Sequence, residues 1–384
     1  MIARKNTKRI SKKLKSSPAV VLVGPRQCGK TTLARALPGT VYFDLERDSD
    51  RLRLDMEWST LVAKQKCIVL DEVQTMPELF PRLRSEIDEK RKLNGRFLLL
   101  GSVAPSLMKH VAESLAGRMA LCEMTPLVIS ELPEAKWDSL WCYGGYPDGG
   151  ILDEKQFPDW QHDYLTLLAQ RDFPVWGLPA LPPVTLRLLK MLAAVQGQPW
   201  NASQIAKGLG LTYHTVNSYI EFLEQAFLIR RIPAWSGNIL KRIVKAPRLY
   251  WRDSGLCHAL LGLRSKDSLL DQPWVGYSWE GWVVEQLLNA FQLEGIVVSP
   301  YWFRTQDQLE ADLILEFGAE RWVIEIKLTA LPKSEDMSAL RKVAKLVGAT
   351  QTILVSRTRD VVWGETESSV NLSALLSHIN TKVR

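Results

Sequence analysis

The sequence predicts a multidomain α/β chain whose first part is a sheet core that binds phosphate at a glycine-rich loop. Three observations lead there. "AVVLVGPRQCGKTTLARAL" sets Gly-x4-Gly-Lys-Thr between an apolar strand and a helix. "KCIVLDEVQ" is a second apolar strand ending in two acids. Toward the C-terminus, strand-like runs alternate with helical ones in the order of a second α/β unit.

The first loop explains itself chemically. Gly24 and Gly29 let backbone N–H groups wrap phosphates at a helix N-terminus, Lys30 reaches the terminal phosphates, and Thr31, followed by Thr32, offers a hydroxyl to Mg²⁺. On the acidic strand, Asp71 is placed to hold the Mg²⁺ shell and Glu72 to polarise the attacking water. ATP and Mg²⁺ are the expected cofactors. "GRFLLLGS" is a further buried strand, and Ser102 at its end resembles the polar sensor of AAA-type ATPases; a plain turn residue is the competing reading. "ESLAGRMALCEM" puts Arg118 just before another strand, where such ATPases carry an arginine that reaches a neighbouring subunit's γ-phosphate. A homo-oligomer is therefore expected, against the alternative of an exposed arginine closing a helix. Together these segments make residues 18–128 a P-loop core. Residues 129–182, helices interrupted by "YGGYPDGG", look like a helical lid. There Gly145-Tyr146-Pro147 resembles a nucleotide-touching G-x-P element and Arg171 a second sensor, with packing as the alternative for both.

After the linker-like "GLPALPP" (177–183), residues 183–255 have the order of a winged helix-turn-helix. Ser203 is the expected cap of its second helix. A recognition-type helix over Thr212–Gln225 presents Thr212, Tyr213, His214, Thr215 and Asn217 but no Arg or Lys. From Ile229 to Arg252 come Arg230, Arg231, Lys241, Arg242, Lys245, Arg248 and Arg252 with no acid, which is the electrostatic footprint of a phosphate-backbone contact. Domain packing is the alternative. Residues 1–17 add Arg4, Lys5, Lys8, Arg9, Lys12, Lys13 and Lys15, again without an acid, as either a DNA-contacting arm or a solvated helix. This arm accounts for the whole formal charge of +7. DNA is the expected partner; a nucleotide-dependent switch acting on a protein is the second expectation.

Residues 270–360 contain a helix, three strands, a helix and a strand, the α-β-β-β-α-β order of restriction-endonuclease-like folds. Strand alternation puts Glu325 and Lys327 on one face, with Asp312 at the start of the adjacent strand able to share it. Asp312 and Glu325 are candidate Mg²⁺ ligands, Lys327 a candidate for positioning the attacking water, and Glu280 on the preceding helix a candidate to complete the shell. A half-exposed hairpin with solvated charges is the alternative, and a grip on DNA without cleavage is preferred to cutting. Residues 361–384 read as a tail.

Taken together, "GPRQCGKTTL", "IVLDEVQ", "GGYP", "RDF", "KAPRLYWRDSGL", "WEGWVVEQLL" and "EADLILEFGAERWVIEIK" resemble a bacterial and archaeal group of AAA-type P-loop ATPases. In that group the ATPase core is followed by a winged helix and a C-terminal restriction-endonuclease-like domain. The resemblance implies ATP binding on Gly24–Thr31, Asp71 and Glu72, and a nuclease-like core on Glu280, Asp312, Glu325 and Lys327. It covers nearly the whole chain. Five scattered cysteines without C-x-x-C spacing point to a reducing cytoplasm and away from zinc. No apolar run reaches membrane-spanning length, so no membrane association is expected.

Overall fold

The computed structural model describes residues 2–64, 66–101, 115–237 and 243–382. Its N-terminal sheet has five strands, β1 (Ala19–Val23), β2 (Thr40–Asp44), β3 (Cys67–Asp71), β4 (Phe97–Leu100) and β5 (Met119–Glu123), all parallel in the order β2-β3-β4-β1-β5. Every residue of β1 and β4 is buried, as expected of parallel strands covered on both faces. β4 therefore separates the phosphate-loop strand β1 from the acidic strand β3. Helices α2 (Lys30–Arg35), α3 (Asp48–Ala63) and α4 (Leu79–Glu89) connect the strands.

The basic arm is a helix, α1 (Asn6–Ser16), seated on this core by Ile10, which is fully buried, and by Asn6, whose Nδ2 donates to the Glu123 carbonyl at 2.9 Å. Lys5, Lys8, Lys12 and Lys15 face outward. Arg4 does not: its guanidinium donates to the carbonyls of Cys28 (2.7 Å) and Thr125 (2.6 Å) and pairs with Glu131 at 3.1 Å.

Beyond the sheet come α5 (Trp137–Tyr143), α6 (Asp159–Leu167), which runs on into a π-helical turn over Leu168–Asp172, and the three helices α7 (Pro182–Ala194), α8 (Ala202–Leu209) and α9 (Tyr213–Gln225). Pro182 opens α7, where its missing N–H costs nothing. The cap of α8 is Asn201, accepting from Gln204 N at 3.1 Å, rather than Ser203; Thr212 caps α9, accepting from Thr215 N at 3.1 Å. A two-stranded antiparallel ribbon, β6 (Ile229–Ile232) with β7 (Arg248–Trp251), comes next, then α10 (Ser254–Leu260) capped by Asp253. The "GLPALPP" stretch is not a free linker: Leu178 is buried and the Tyr219 hydroxyl donates to the Pro179 carbonyl at 3.0 Å. Residues on both sides of it, from Tyr146 and Tyr164 to Leu188, Val216 and Trp251, share one core.

After α11 (Lys266–Leu270), the long helix α12 (Val275–Glu294) leads to a six-stranded sheet made of β8 (Ser299–Arg304), β9 (Glu310–Phe317), β10 (Glu320–Ile326), β11 (Gln351–Ser356), β12 (Val362–Trp363) and β13 (Glu367–Asn371). Its order is β12-β13-β11-β10-β9-β8, antiparallel from β8 to β10 and parallel from β10 through β11 to β13. The parallel step from β10 to β11 is bridged by α13 (Ser334–Val347). Within the stretch read as a tail, residues 361–382 are part of the fold. They contribute β12, β13 and α14 (Leu372–Lys382), with Val370, Leu375 and Ile379 fully buried among residues of α12 and the sheet.

The opposite edge, β8, is covered by the loop of the ribbon. Trp235 N donates to the Trp302 carbonyl at 2.8 Å, Trp302 N to that of Pro233 at 3.0 Å, and Val244 N to that of Arg304 at 3.0 Å. An edge that would otherwise offer unpaired backbone groups is thus satisfied from the preceding unit.

Leu375→Ala should cost about 2–5 kcal/mol of unfolding free energy, the usual penalty for emptying a fully buried leucine site, read from urea denaturation. A loss under about 0.5 kcal/mol, the surface value, would show that α14 is not part of the core.

Candidate functional site

The phosphate loop rises from the C-terminal end of β1. At Gly24 φ is +153°, and a Cβ there would stand 2.0 Å from the Met124 carbonyl oxygen, so the loop can lie this close to the end of β5 only with glycine. Lys30 is 7% exposed and its ammonium donates to the carbonyls of Gly24 (2.9 Å) and Pro25 (2.8 Å), which holds the loop as a closed ring around it. The Thr31 hydroxyl donates to Asp71 Oδ2 at 2.7 Å, and the Tyr42 hydroxyl donates to the same oxygen at 2.6 Å. Thr31 and Asp71 are thus adjacent, as a shared Mg²⁺ site requires. Glu72 has φ +52°, and its carboxylate accepts from the Gln74 amide and lines the same cleft.

That cleft has an empty volume of about 1200 Å³, with Lys30, Thr31, Thr32 and Glu72 on the sheet side and Pro147, Tyr164 and Arg171 on the lid side. Asp172 ties its two sides together, accepting from Arg26 of the phosphate loop at 2.6 Å and from Arg171 at 2.9 Å. Beside it lies an apolar recess of about 860 Å³, walled by Ile2, Ala3, Leu33, Leu127 and Leu152, which shares Gly29, Thr32 and Pro147 with the cleft. A polar cleft opening into an apolar recess has the dimensions and chemistry of a nucleotide, phosphates in one and base in the other. Sequence reasoning missed Arg26, Tyr42, Asp172 and the recess-forming N-terminal residues. Only the loop motif and the "RDF" triplet offered a signal, because a wall assembled from residues 2, 33, 127 and 152 has no sequence spacing.

Ser102 lies outside the described residues. Arg118 is not in this cleft: it precedes β5, at the end of the strands opposite the phosphate loop, and makes a two-pronged pair with Asp88 at 2.7 and 2.8 Å.

In the C-terminal unit, Glu280, Asp312, Glu325 and Lys327 do line one open cavity, together with Glu310 and Tyr277. Its carboxylates are not arranged as a metal site, however: among the described residues no group of three His, Cys, Asp or Glu is disposed to hold an ion. The buried Arg248 guanidinium, from β7, lies among them instead. It donates to Glu280 at 2.8 Å, to Asp312 at 3.3 Å and to Glu310, and it stacks 4.5 Å over the Trp302 ring. Lys327 is directed at Glu325, 2.6 Å away, and Asp312 Oδ2 accepts from Ile326 N at 2.9 Å. Two of the candidate chelating carboxylates, Glu280 and Asp312, thus share an internal cation. Burial and the negative charge of Asp312 push the Glu280 carboxyl up to about 8, and the same two causes push Glu325 up to about 7.

The ribbon is corrected too. Of its seven cations, Arg230 pairs with Glu285, Arg231 with Glu224, Arg248 with the carboxylate cluster and Arg252 with Glu123 and Glu285. Lys241 and Arg242 lie outside the described residues; Lys245 is exposed. Four charges that look uncompensated along the chain are therefore compensated by acids outside the ribbon.

An AAA domain model matches residues 16–133, and two domains of unknown function, DUF8612 and DUF4143, match residues 134–267 and 275–375. The proteins Mb2031c of Mycobacterium bovis and Rv2008c of Mycobacterium tuberculosis, each described only as uncharacterized, are 35% identical to the chain over 329 residues, which is 84% of the chain and 73% of theirs. The chain belongs to the family of these two mycobacterial proteins. Its N-terminal part is an AAA-type ATPase domain. Among solved structures, a Thermotoga maritima RuvB variant overlaps at TM-score 0.29 with 18% identity, covering 60% of the chain and 90% of RuvB. AMPPCP-bound DnaA from Aquifex aeolicus overlaps at 0.28 with 13% identity, covering 57% and 87%. The match over 134–267 spans lid and three-helix unit alike, in keeping with their common core. No helix among the described residues is long and apolar enough to cross a membrane.

Because the Glu280 and Glu325 carboxyls are raised from 4.5, the folded chain binds more protons there than the unfolded one. Their contribution to stability is fully present below about pH 4.5 and is lost as pH rises through about 7 to 8. Unfolding free energy should fall from about pH 4.5 to about pH 8, and Glu280→Gln should flatten that fall. A fall of equal size in the variant would assign it to other groups.

Proposed function

We propose that the protein is a Mg²⁺-dependent ATPase that acts on DNA, with hydrolysis in the cleft between the AAA domain and the lid. The observation that carries the ATPase reading is the Thr31–Asp71 pair at 2.7 Å beside Lys30, at the mouth of a cleft that opens into an apolar recess. Thr31 and Asp71 would hold the Mg²⁺, which when bound neutralises phosphate charge. Lys30 exchanges its two loop carbonyls for terminal phosphate oxygens, Glu72 takes the proton of the attacking water, and Arg171 and Arg26 face the same phosphates from lid and loop. Arg118 would serve only a neighbouring subunit, on release from Asp88.

For DNA, the supporting surfaces are the lysine face of α1 and the exposed N-terminal turn of α9 at Thr212, Tyr213 and His214, in a unit we take to be a winged helix. The ribbon arginines do not contribute. We take the C-terminal sheet, residues 270–382, to be a restriction-endonuclease-like unit that grips or organises rather than cuts, with Arg248 standing where a nuclease needs its metal. A second reading, a nucleotide-driven switch on a protein partner, is favoured by the burial of the ribbon between units. Stimulation of ATP turnover by duplex, fork, junction or single-stranded DNA supports the first reading; turnover unaffected by all four supports the second.

Lys30→Ala should abolish binding of the terminal phosphates. Glu72→Gln should bind ATP normally and lose turnover by about 10²–10⁴-fold, the usual contribution of a general base. Equal affinity and turnover in Lys30→Ala and wild type would remove the ATPase assignment.

Changing Lys5, Lys8, Lys12 and Lys15 together to Gln should weaken DNA binding and make the slope of log K against log salt shallower by about 4, near one per lost phosphate contact. An unchanged slope would show that α1 does not touch DNA.

A further inference from the structure

The lid loop Gly144–Pro147 is held by a residue that belongs to neither the AAA domain nor the lid. Asp253 lies just beyond β7, is 7% exposed, and uses its two carboxylate oxygens on two different segments. Oδ1 accepts from Leu256 N at 3.0 Å and so caps α10; Oδ2 accepts from Gly145 N at 2.8 Å. The backbone is wedged from every side at this point. A Cβ on Gly144, where φ is +81°, would stand 2.2 Å from Asp253 Oδ1; on Gly145, 2.2 Å from the Leu127 carbonyl; on Gly255, 1.9 Å from that of Tyr143. Leu127 N in turn donates to the Gly145 carbonyl at 2.7 Å, so both polar groups of Gly145 are fixed.

Of the two residues after Gly145, Pro147 forms part of the nucleotide wall and Tyr146 packs behind it. Tyr146 is buried and packs on Trp160 and Tyr164, and Pro147 borders both the phosphate cleft and the apolar recess. Tyr164 lines the cleft and donates to the Arg26 carbonyl of the phosphate loop at 3.3 Å. Beside Asp253, Arg252 pairs with Glu123 at the end of β5, the strand whose next residue, Met124, abuts Gly24. The end of the ribbon therefore grips the nucleotide site on two sides, the loop end of the sheet and the lid.

We propose that Asp253 is a positioning residue for nucleotide: by accepting from Gly145 N it sets the wall residue Pro147 two positions on, and through it ribbon position and ATP affinity are coupled. The proposal rests on the reading of the cleft as an ATP site. Its effect is on binding rather than on chemistry, since Asp253 touches no group that reacts. Loss of the acceptor leaves a buried N–H without a partner, and the loop recovers one only by moving away from its place against the cleft.

The test is nucleotide affinity in Asp253→Asn and Asp253→Ser, followed with a fluorescent ATP analogue and by steady-state turnover, using the full chain. Both residues are good helix caps and keep the bond to Leu256 N. Asn turns an NH₂ toward Gly145 N, and Ser is too short to reach it. The expected result is Kd and KM raised about tenfold, with kcat at saturating ATP within about twofold and the unfolding midpoint little changed. A purely structural Asp253 would lower the midpoint and leave Kd of the folded protein at the wild-type value; that outcome overturns the proposal. Pro147→Ala leaves Asp253 intact and must also raise Kd, so a wild-type Kd there overturns it independently of how the Asp253 variants fold. If Lys30→Ala binds the analogue as tightly as wild type, the ATP reading itself has failed, which separates the two.

Discussion

The helix α12 is buried on all sides, and the arrangement of the other units depends on that. From Ser278 to Phe291 every residue is buried, including Glu280, Glu285, Gln286 and Asn289. A charged or amide group out of water is tolerable only with a partner, and the helix's own backbone bonds offer none to side chains. Each neighbouring unit supplies one. Arg248 and Tyr250 of the ribbon meet Glu280, Arg230 and Arg252 meet Glu285, and Ile129 N, near the end of the AAA domain, donates to Gln286 at 2.9 Å. Gly281 completes the fit, since a Cβ there would stand 2.2 Å from the Gln196 amide of the three-helix unit. Pairs of this kind add little net stability over well-packed apolar residues, but losing one partner is costly, so they specify position.

This packing joins the nucleotide cleft to distant parts of the chain. The cleft has walls from the arm, the phosphate loop and the lid, while the lid shares its core with the three helices and the ribbon. The ribbon loop in turn completes the edge of the C-terminal sheet. Any displacement of the helices that wall the cleft must therefore move packed elements together or break a buried pair.

The carboxylate cluster illustrates how one cation can redefine a site. Glu280, Glu310 and Asp312 all lean on Arg248, and a single guanidinium cannot offset three negative charges. Burial first, and the negative charge of Asp312 after it, drive the Glu280 carboxyl upward, in the direction that eases this imbalance. Two side chains of the candidate chelating set, Glu280 and Asp312, therefore serve with Glu310 as a socket for an arginine.

The sequence by itself determined the features whose physics is local. The phosphate loop depends on glycines, a lysine and a threonine within eight consecutive residues, and the strand–loop–helix context is continuous, so Gly24–Thr31 were legible directly. Asp71 and Glu72 are legible as an apolar run ending in acid, and the alternation that puts Glu325 and Lys327 in one cavity is a property of any strand. Only the tertiary structure decided what each charge does, because pairing depends on distance in space while a sequence reports spacing along the chain. Arg230, Arg248 and Arg252 looked uncompensated for that reason: Glu123, Glu280 and Glu285 lie dozens of residues away. Residues 361–384 read as a tail for the same reason, since the short strand "ESSVN" becomes a strand only beside β11. Asp253, one acid among forty-two acidic residues, acquires its role solely from the backbone of Gly144 and Gly145 folded against it.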